Sequence, residues 1–235
     1  MSYRIKLRAL FEENRFSKLH QAVRRNDSSA VERIVCQPNT DVNKINFGLS
    51  PLNLAIYFKN IAMVRQLLLI PWIKVNKIPE LMYSPLVLAV EMESLQIVEL
   101  LLGHKNIDVN CEEHSATPFE KACQLGNKAI VERLLQCEGL DTTRTERSAG
   151  YTISHIVCRY GSISVIDVLV RHKIFTLSPH DSEGNNPVQE ACVYGQLAVV
   201  EHVLHNIAQI DKTMGSNAEF NGLYYVIIVV PLSKY

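Results

Sequence analysis

Ser50-Pro51-Leu52-Asn53-Leu54-Ala55 returns further along the chain as Ser84-Pro85-Leu86-Val87-Leu88-Ala89. Outward from this pair, related segments begin at Ser17 (SKLHQA), Thr117 (TPFEKA), Thr152 (TISHIV) and Asn186 (NPVQEA). The second residues of these segments, Lys18, Pro51, Pro85, Pro118, Ile153 and Pro187, are anchors spaced by 33, 34, 33, 35 and 34 residues. A fixed period of this length over most of a chain is the mark of a repeat array. The residue before each anchor is Ser, Thr or Asn, whose side chain accepts a hydrogen bond from a first-turn amide, and proline at the next position sacrifices no bond there. Each anchor therefore starts a helix.

A second helix follows within each period. Thirteen residues past the anchors stand Val31, Val64, Val98, Val131, Ile166 and Val200. Three and four residues later come Ile34-Val35, Leu67-Leu68, Leu101-Leu102, Leu134-Leu135, Leu169-Val170 and Val203-Leu204, which completes one apolar helical stripe. Glu32-Arg33, Glu99, Glu132-Arg133 and Glu201-His202 interrupt the stripe and belong on the solvent side. Eight past the anchors are Asn26, Lys59, Glu93, Gly126, Gly161 and Gly195, a composition suited to a left-handed residue closing the first helix. A pair of helices of roughly 10 residues buries too little apolar surface to offset its conformational entropy, so neighbouring units must stack and share one elongated core.

The anchor segments resemble the Thr-Pro-Leu-His-x-Ala signature of the ankyrin-repeat family, whose period this is also. The resemblance covers Phe16 to about Ile210 and includes Asp41-Val42-Asn43, Lys74-Val75-Asn76 and Asp108-Val109-Asn110, similar to the family's lead into a β-hairpin finger. Asp141-Thr142-Thr143 and Leu177-Ser178 depart from that lead, Ile153 replaces a proline, and Lys59 and Glu93 replace a glycine. The resemblance implies an all-α solenoid of stacked helix-turn-helix units with short β-hairpin fingers. Its boundaries are a capping segment at 1–14, six repeats within 15–213 (15–47, 48–81, 82–114, 115–149, 150–183 and 184–213), and a hydrophobic tail at 214–235.

Lys plus Arg and Asp plus Glu are both 24, so no global field draws the chain to nucleic acid or to an anionic membrane. Arg4, Lys6 and Arg8 interrupt the apolar residues of 1–10, against a secretory signal. The longest apolar run, Leu223 to Leu232, is about half of the roughly 20 residues a membrane-spanning helix needs. Six cysteines without close pairs read as reduced thiols of a cytoplasmic or nuclear protein. Cys123, Cys158 and Cys192 each fall five past an anchor, where small core residues belong, one stack spacing apart and too distant to share a zinc ion. No metal, cofactor or catalytic motif is expected, and the chain is read as a monomeric non-enzyme that binds another protein.

Members of the family bind partners through the fingers and the exposed ends of the first helices. Carried over by position, this gives Arg24, Arg25, Tyr57, Phe58, Glu91, Met92, Gln124, Arg159, Tyr160 and Tyr194 from the helix ends. The fingers add Phe47, Leu81, Tyr83, His114 and Tyr151. Aromatics and Arg dominate binding hot spots; the alternative for Phe58, Met92 and Leu125 is packing between repeats. His20 and His155 occupy the signature's histidine position, where the ring is expected to bond local backbone. Asn110, and more weakly Asn76, resemble asparagines that hydroxylases modify in such repeats, against the plainer reading of turn-stabilising residues. The tail reads as a cap on the last repeat, a docking strand or an irregular end, with the cap preferred. Rivals to an adaptor are the ankyrin array of a larger cation channel or ubiquitin-ligase receptor, and an inhibitor acting by occlusion.

Overall fold

A computed structural model describes residues 16–78, 83–112, 116–143, 150–177 and 179–214. Segments 1–14 and 215–235, finger residues Leu81 and His114, and Ser178 lie outside the described residues. Twelve helices occur among the described residues, in pairs: α1 (Lys18–Arg24) and α2 (Ser28–Val35), α3 (Pro51–Tyr57) and α4 (Ile61–Leu68), α5 (Pro85–Glu91) and α6 (Leu95–Leu102). They continue as α7 (Pro118–Gln124) and α8 (Lys128–Leu134), α9 (Ile153–Arg159) and α10 (Ile163–Arg171), α11 (Pro187–Val193) and α12 (Leu197–Met214). The architecture is all-α.

Every first helix begins at its anchor because the preceding side chain caps it. Ser17, Ser50, Ser84, Thr117 and Asn186 accept from first-turn amides, and Glu120 and Gln189 return the favour to the amides of Thr117 and Asn186. At Thr152 the hydroxyl pairs with the His155 ring at 2.9 Å. The position eight past each anchor is left-handed in all six repeats: Asn26, Lys59 and Glu93 have φ of 55°, 52° and 51°, and Gly126, Gly161 and Gly195 have 67°, 75° and 70°. The turn thus keeps its conformation even where a side chain makes it costly, by about 1 kcal/mol or more per non-glycine residue.

The chain forms two compact units, residues 1–113 and 114–235. In the first, α1, α3 and α5 pack in succession and α4 lies on α6; in the second, α7, α9 and α11 pack in succession, as do α8, α10 and α12. The stripe residues Val64, Leu67, Val98 and Leu101 are fully buried in the first unit, and Val131, Leu134, Ile166 and Leu169 in the second. Each such side chain contributes about 1.5–3 kcal/mol on burial, which a lone helix pair realises only in part and a stack realises on both faces. Glu32, Arg33, Glu99 and Glu201 are exposed, and Glu132, Arg133 and His202 are partly so.

Of the expected hairpin fingers, the described residues contain an isolated antiparallel bridge between Asn46 and Leu49 and a bridge residue at Ala116, and are otherwise turns and irregular backbone; 79–82, 113–115 and 144–149 lie outside them. Side chains do the bonding that strands would have done. Asn43 donates to Trp72 O and accepts from the Lys74 amide, at 2.9 and 2.8 Å. Asn76 repeats this on Asn106 O and the Asp108 amide, at 2.6 and 3.0 Å. Asn43 and Asn76 therefore each tie their loop to the loop of the next repeat.

Candidate functional site

The histidines of the signature position make the expected local bonds, to the Thr152 backbone for His155 and to the Ser17 side chain for His20, and also work between repeats. His20 Nε2 donates to Leu49 O at 3.0 Å while its Nδ1 accepts from the Ser17 hydroxyl at 2.7 Å. His155 Nε2 donates to Asn185 O at 3.0 Å, and its Nδ1 faces the Thr152 amide and hydroxyl. Asn53 at the equivalent position donates to Tyr83 O at 2.7 Å and accepts from the Ser50 hydroxyl at 2.6 Å. The reach to the next finger follows from stacking, which brings the neighbouring turn over the start of the first helix. Burial pushes both histidines below the ordinary imidazole range, so they act as neutral donors.

The sequence-predicted site residues sit at the C-terminal ends of the first helices and on the fingers. In the first unit Arg24 and Arg25 are exposed, Tyr57, Tyr83, Glu91 and Met92 are half-buried, and Phe58 is 45% exposed with its ring edge-on to Tyr57. Phe47 turns onto Phe16, edge to face at 5.2 Å, and Phe16 stacks on His20, so this finger side chain belongs largely to the packing. Asn76 is engaged as described. The Asn110 amide donates to Asp108 Oδ1 at 2.9 Å, and the residue is half-buried.

In the second unit Gln124 is half-buried, and Leu125, Tyr160 and Tyr194 are 36%, 51% and 46% exposed. Phe58 and Leu125 thus stand out of the core, against the packing alternative. Tyr151, Arg159 and Tyr194 come together: the Arg159 guanidinium lies 5.1 Å from the Tyr151 ring centre and 4.2 Å from that of Tyr194. Their fourth member, Glu190, was missed. It lies on α11, is 2% exposed, and places Oε1 3.7 Å from an Arg159 nitrogen while its carboxylate accepts from the Tyr151 hydroxyl. Its signal was available: three past the anchor stand Gln21, Leu54, Leu88, Lys121, Ile156 and Glu190, of which only Glu190 is a carboxylate, and it is buried. Burial raises the Glu190 carboxyl above the usual carboxylate range, and burial with the nearby Glu190 charge pushes Tyr151 up to about 12.

Cys123 and Cys158 are buried with their thiols held up by desolvation, Cys192 is half-buried with the same direction, and the six cysteines form no disulfide. Raised thiols in apolar surroundings are poor nucleophiles. Among the described residues no group of His, Cys, Asp and Glu is arranged to hold a metal ion. No described helix is long and apolar enough to cross a membrane.

A family model of ankyrin repeats in three copies matches residues 19–113 and again 119–214. The chain belongs to the ankyrin-repeat family. Its fold is similar to the ankyrin repeat domain of Bcl-3, with a TM-score of 0.72, 21% identity and coverage of 82% of this chain and 87% of that one. An ankyrin repeat domain from Acinetobacter baumannii AYE gives a TM-score of 0.68 at 21% identity, over 80% of this chain and 96% of that one. Among curated proteins, the human transient receptor potential cation channel subfamily A member 1 is 27% identical over 207 residues, 82% of this chain and 18% of the channel. The glycerophosphocholine phosphodiesterase GDE1 of Candida albicans is 29% identical over 160 residues, 67% of this chain and 13% of that protein. The chain thus spans less than a fifth of the length of either relative. Ankyrin repeats are in general protein-interaction modules.

Proposed function

We propose that this chain is a non-enzymatic scaffold or adaptor that holds a partner protein on the fingers and on the C-terminal ends of its first helices. The observation that carries the reading is the exposure of Phe58, Tyr160 and Tyr194 at the ends of first helices, two of them buried almost throughout and the third buried over most of its first five residues. Aromatic rings held on a rigid backbone give large contact area at small entropic cost on binding. Capture from cells that make the protein, compared between the wild type and Tyr57→Ala/Tyr160→Ala/Tyr194→Ala, tests this. The triple variant should keep its thermal transition and lose its partners. Equal capture by both proteins places recognition elsewhere.

A second reading is that the chain is the ankyrin array of a larger protein of the channel kind. The alignment with the human channel over 82% of this chain favours it. The array would serve the same purpose there, as a surface on which another protein or another part of the same one docks.

A further inference from the structure

The cluster around Arg159 is more elaborate than packing requires. Among the described residues the Arg159 guanidinium makes no hydrogen bond: its contacts are the two tyrosine rings and Glu190 at 3.7 Å, beyond hydrogen-bonding reach. A guanidinium offers five N–H donors in a flat fork. Here two aromatic rings pack on the group, no described residue takes a hydrogen bond from its donors, and the side chain keeps 29% of its surface exposed. Glu190 lies on the buried side and balances the charge without occupying the fork. The Tyr151 hydroxyl and desolvation both act on Glu190, the latter favouring its neutral form. The Tyr194 ring that packs on the guanidinium is itself 46% exposed, and the chain neighbours of these two residues, Tyr160 after Arg159 and Val193 before Tyr194, are 51% and 67% exposed.

Resting on the docking role proposed above, we propose that Arg159 is the recognition point for an Asp or Glu side chain of the partner, flanked there by a large apolar residue that packs on Tyr160, Val193 and Tyr194. A carboxylate satisfies two of the idle donors at once, in the fork geometry that makes such pairs strong. A basic side chain would meet the exposed guanidinium with like charge. An aliphatic one would cover its N–H groups without pairing them. Because the tyrosines already fix the guanidinium plane, docking an acid there orders little that was mobile.

The test is selection of a phage-displayed random-peptide library against the full-length chain, the Tyr57→Ala/Tyr160→Ala/Tyr194→Ala variant and the double variant Arg159→Gln/Glu190→Gln. The double variant leaves no buried carboxylate without its counter-charge. Circular dichroism and melting identify folded preparations, and Arg159→Lys, which keeps the charge and loses the fork, is the second variant. The wild type is expected to enrich Asp or Glu beside an aromatic or aliphatic residue, an enrichment the folded double variant loses and Arg159→Lys reduces. In titration, replacing the selected acid by its amide should weaken binding roughly tenfold, the loss of one good charged pair. Peptides that depend on the three tyrosines yet contain no acid, or an acidic preference that survives in the double variant, overturn this inference and leave the docking surface standing. Peptides indifferent to the three tyrosines overturn both.

Discussion

The two units solve the same turn in opposite ways. In the first, the left-handed position between paired helices is Asn26, Lys59 or Glu93; in the second it is Gly126, Gly161 or Gly195. Side chains that stand just before second helices reach back to the preceding repeat differently in the two units. In the first unit Asn60 reaches back and donates to the Asn26 side chain at 2.6 Å, so the residue at the strained position itself supplies the acceptor. In the second, Ser162 donates to Cys123 O at 3.2 Å and Gln196 to Arg159 O at 3.0 Å, reaching the backbone across a glycine. A Cβ on Gly161 would stand 2.5 Å from Gln196 Oε1, and one on Gly126 would stand 3.0 Å from Ser162 Oγ. Glycine in the second unit thus gives room to a stitch between repeats as well as freedom to the backbone.

The most disruptive way to break this comparison is Gly161→Ala. It adds left-handed strain and displaces Gln196 from its carbonyl, for a loss of roughly 1–3 kcal/mol. Urea melts read the change. Lys59→Ala, where a Cβ is already present, should leave stability within about 0.5 kcal/mol, and equal losses at the two positions would erase the distinction drawn between the units.

A gentler probe uses the one stitch the units share, His20 in the first and His155 in the second. Both rings have pKa values below the unfolded value of about 6.5. The unfolded chain therefore takes up these protons first, so their contribution is complete above about pH 6.5 and is lost as the pH falls below it. Glu190, with its pKa raised, acts in the opposite sense, its contribution declining as the pH rises through the folded value. The melting temperature should fall between about pH 7 and 5.5, and His20→Asn/His155→Asn should flatten that fall. Asn53 already makes the same pair of bonds without a titrating ring. A slope unchanged in the double variant would assign the dependence to other groups. A modest effect of opposite sign is expected for Lys59→Gly, which relieves a left-handed lysine and should stabilise the first unit by about 0.5–1 kcal/mol in the same urea melts.

How far the candidate site could be read depended on the residue. The positions of Tyr57, Phe58, Tyr160 and Tyr194 were legible because the period puts them at helix ends; their exposure was less so, since Tyr57 is half-buried where Phe58, Tyr160 and Tyr194 are exposed. Phe47 was legible as a finger residue but not as the lid on Phe16, since no periodicity records which way a turn side chain folds. Glu190 was written in the chain as the single carboxylate at a position that is otherwise Gln21, Leu54, Leu88, Lys121 and Ile156. Its meaning required Arg159 and Tyr151, which come from the preceding repeat and meet it only when α9 and α11 pack.

What the sequence by itself determined is everything that repeats: the helix starts, the caps, the left-handed turns and the buried stripe. These are consequences of bonds within a few residues and of a spacing that recurs six times. The tertiary structure alone decided what is stitched to what. Hydrogen bonds from His20, Asn43, Asn53, Asn76 and His155 span 29 or 30 residues, and the grouping of Arg159 with Tyr151, Tyr194 and Glu190 joins side chains from different repeats. Such partners are chosen by how one repeat lies upon the next, a geometry that a local pattern of residue types leaves open.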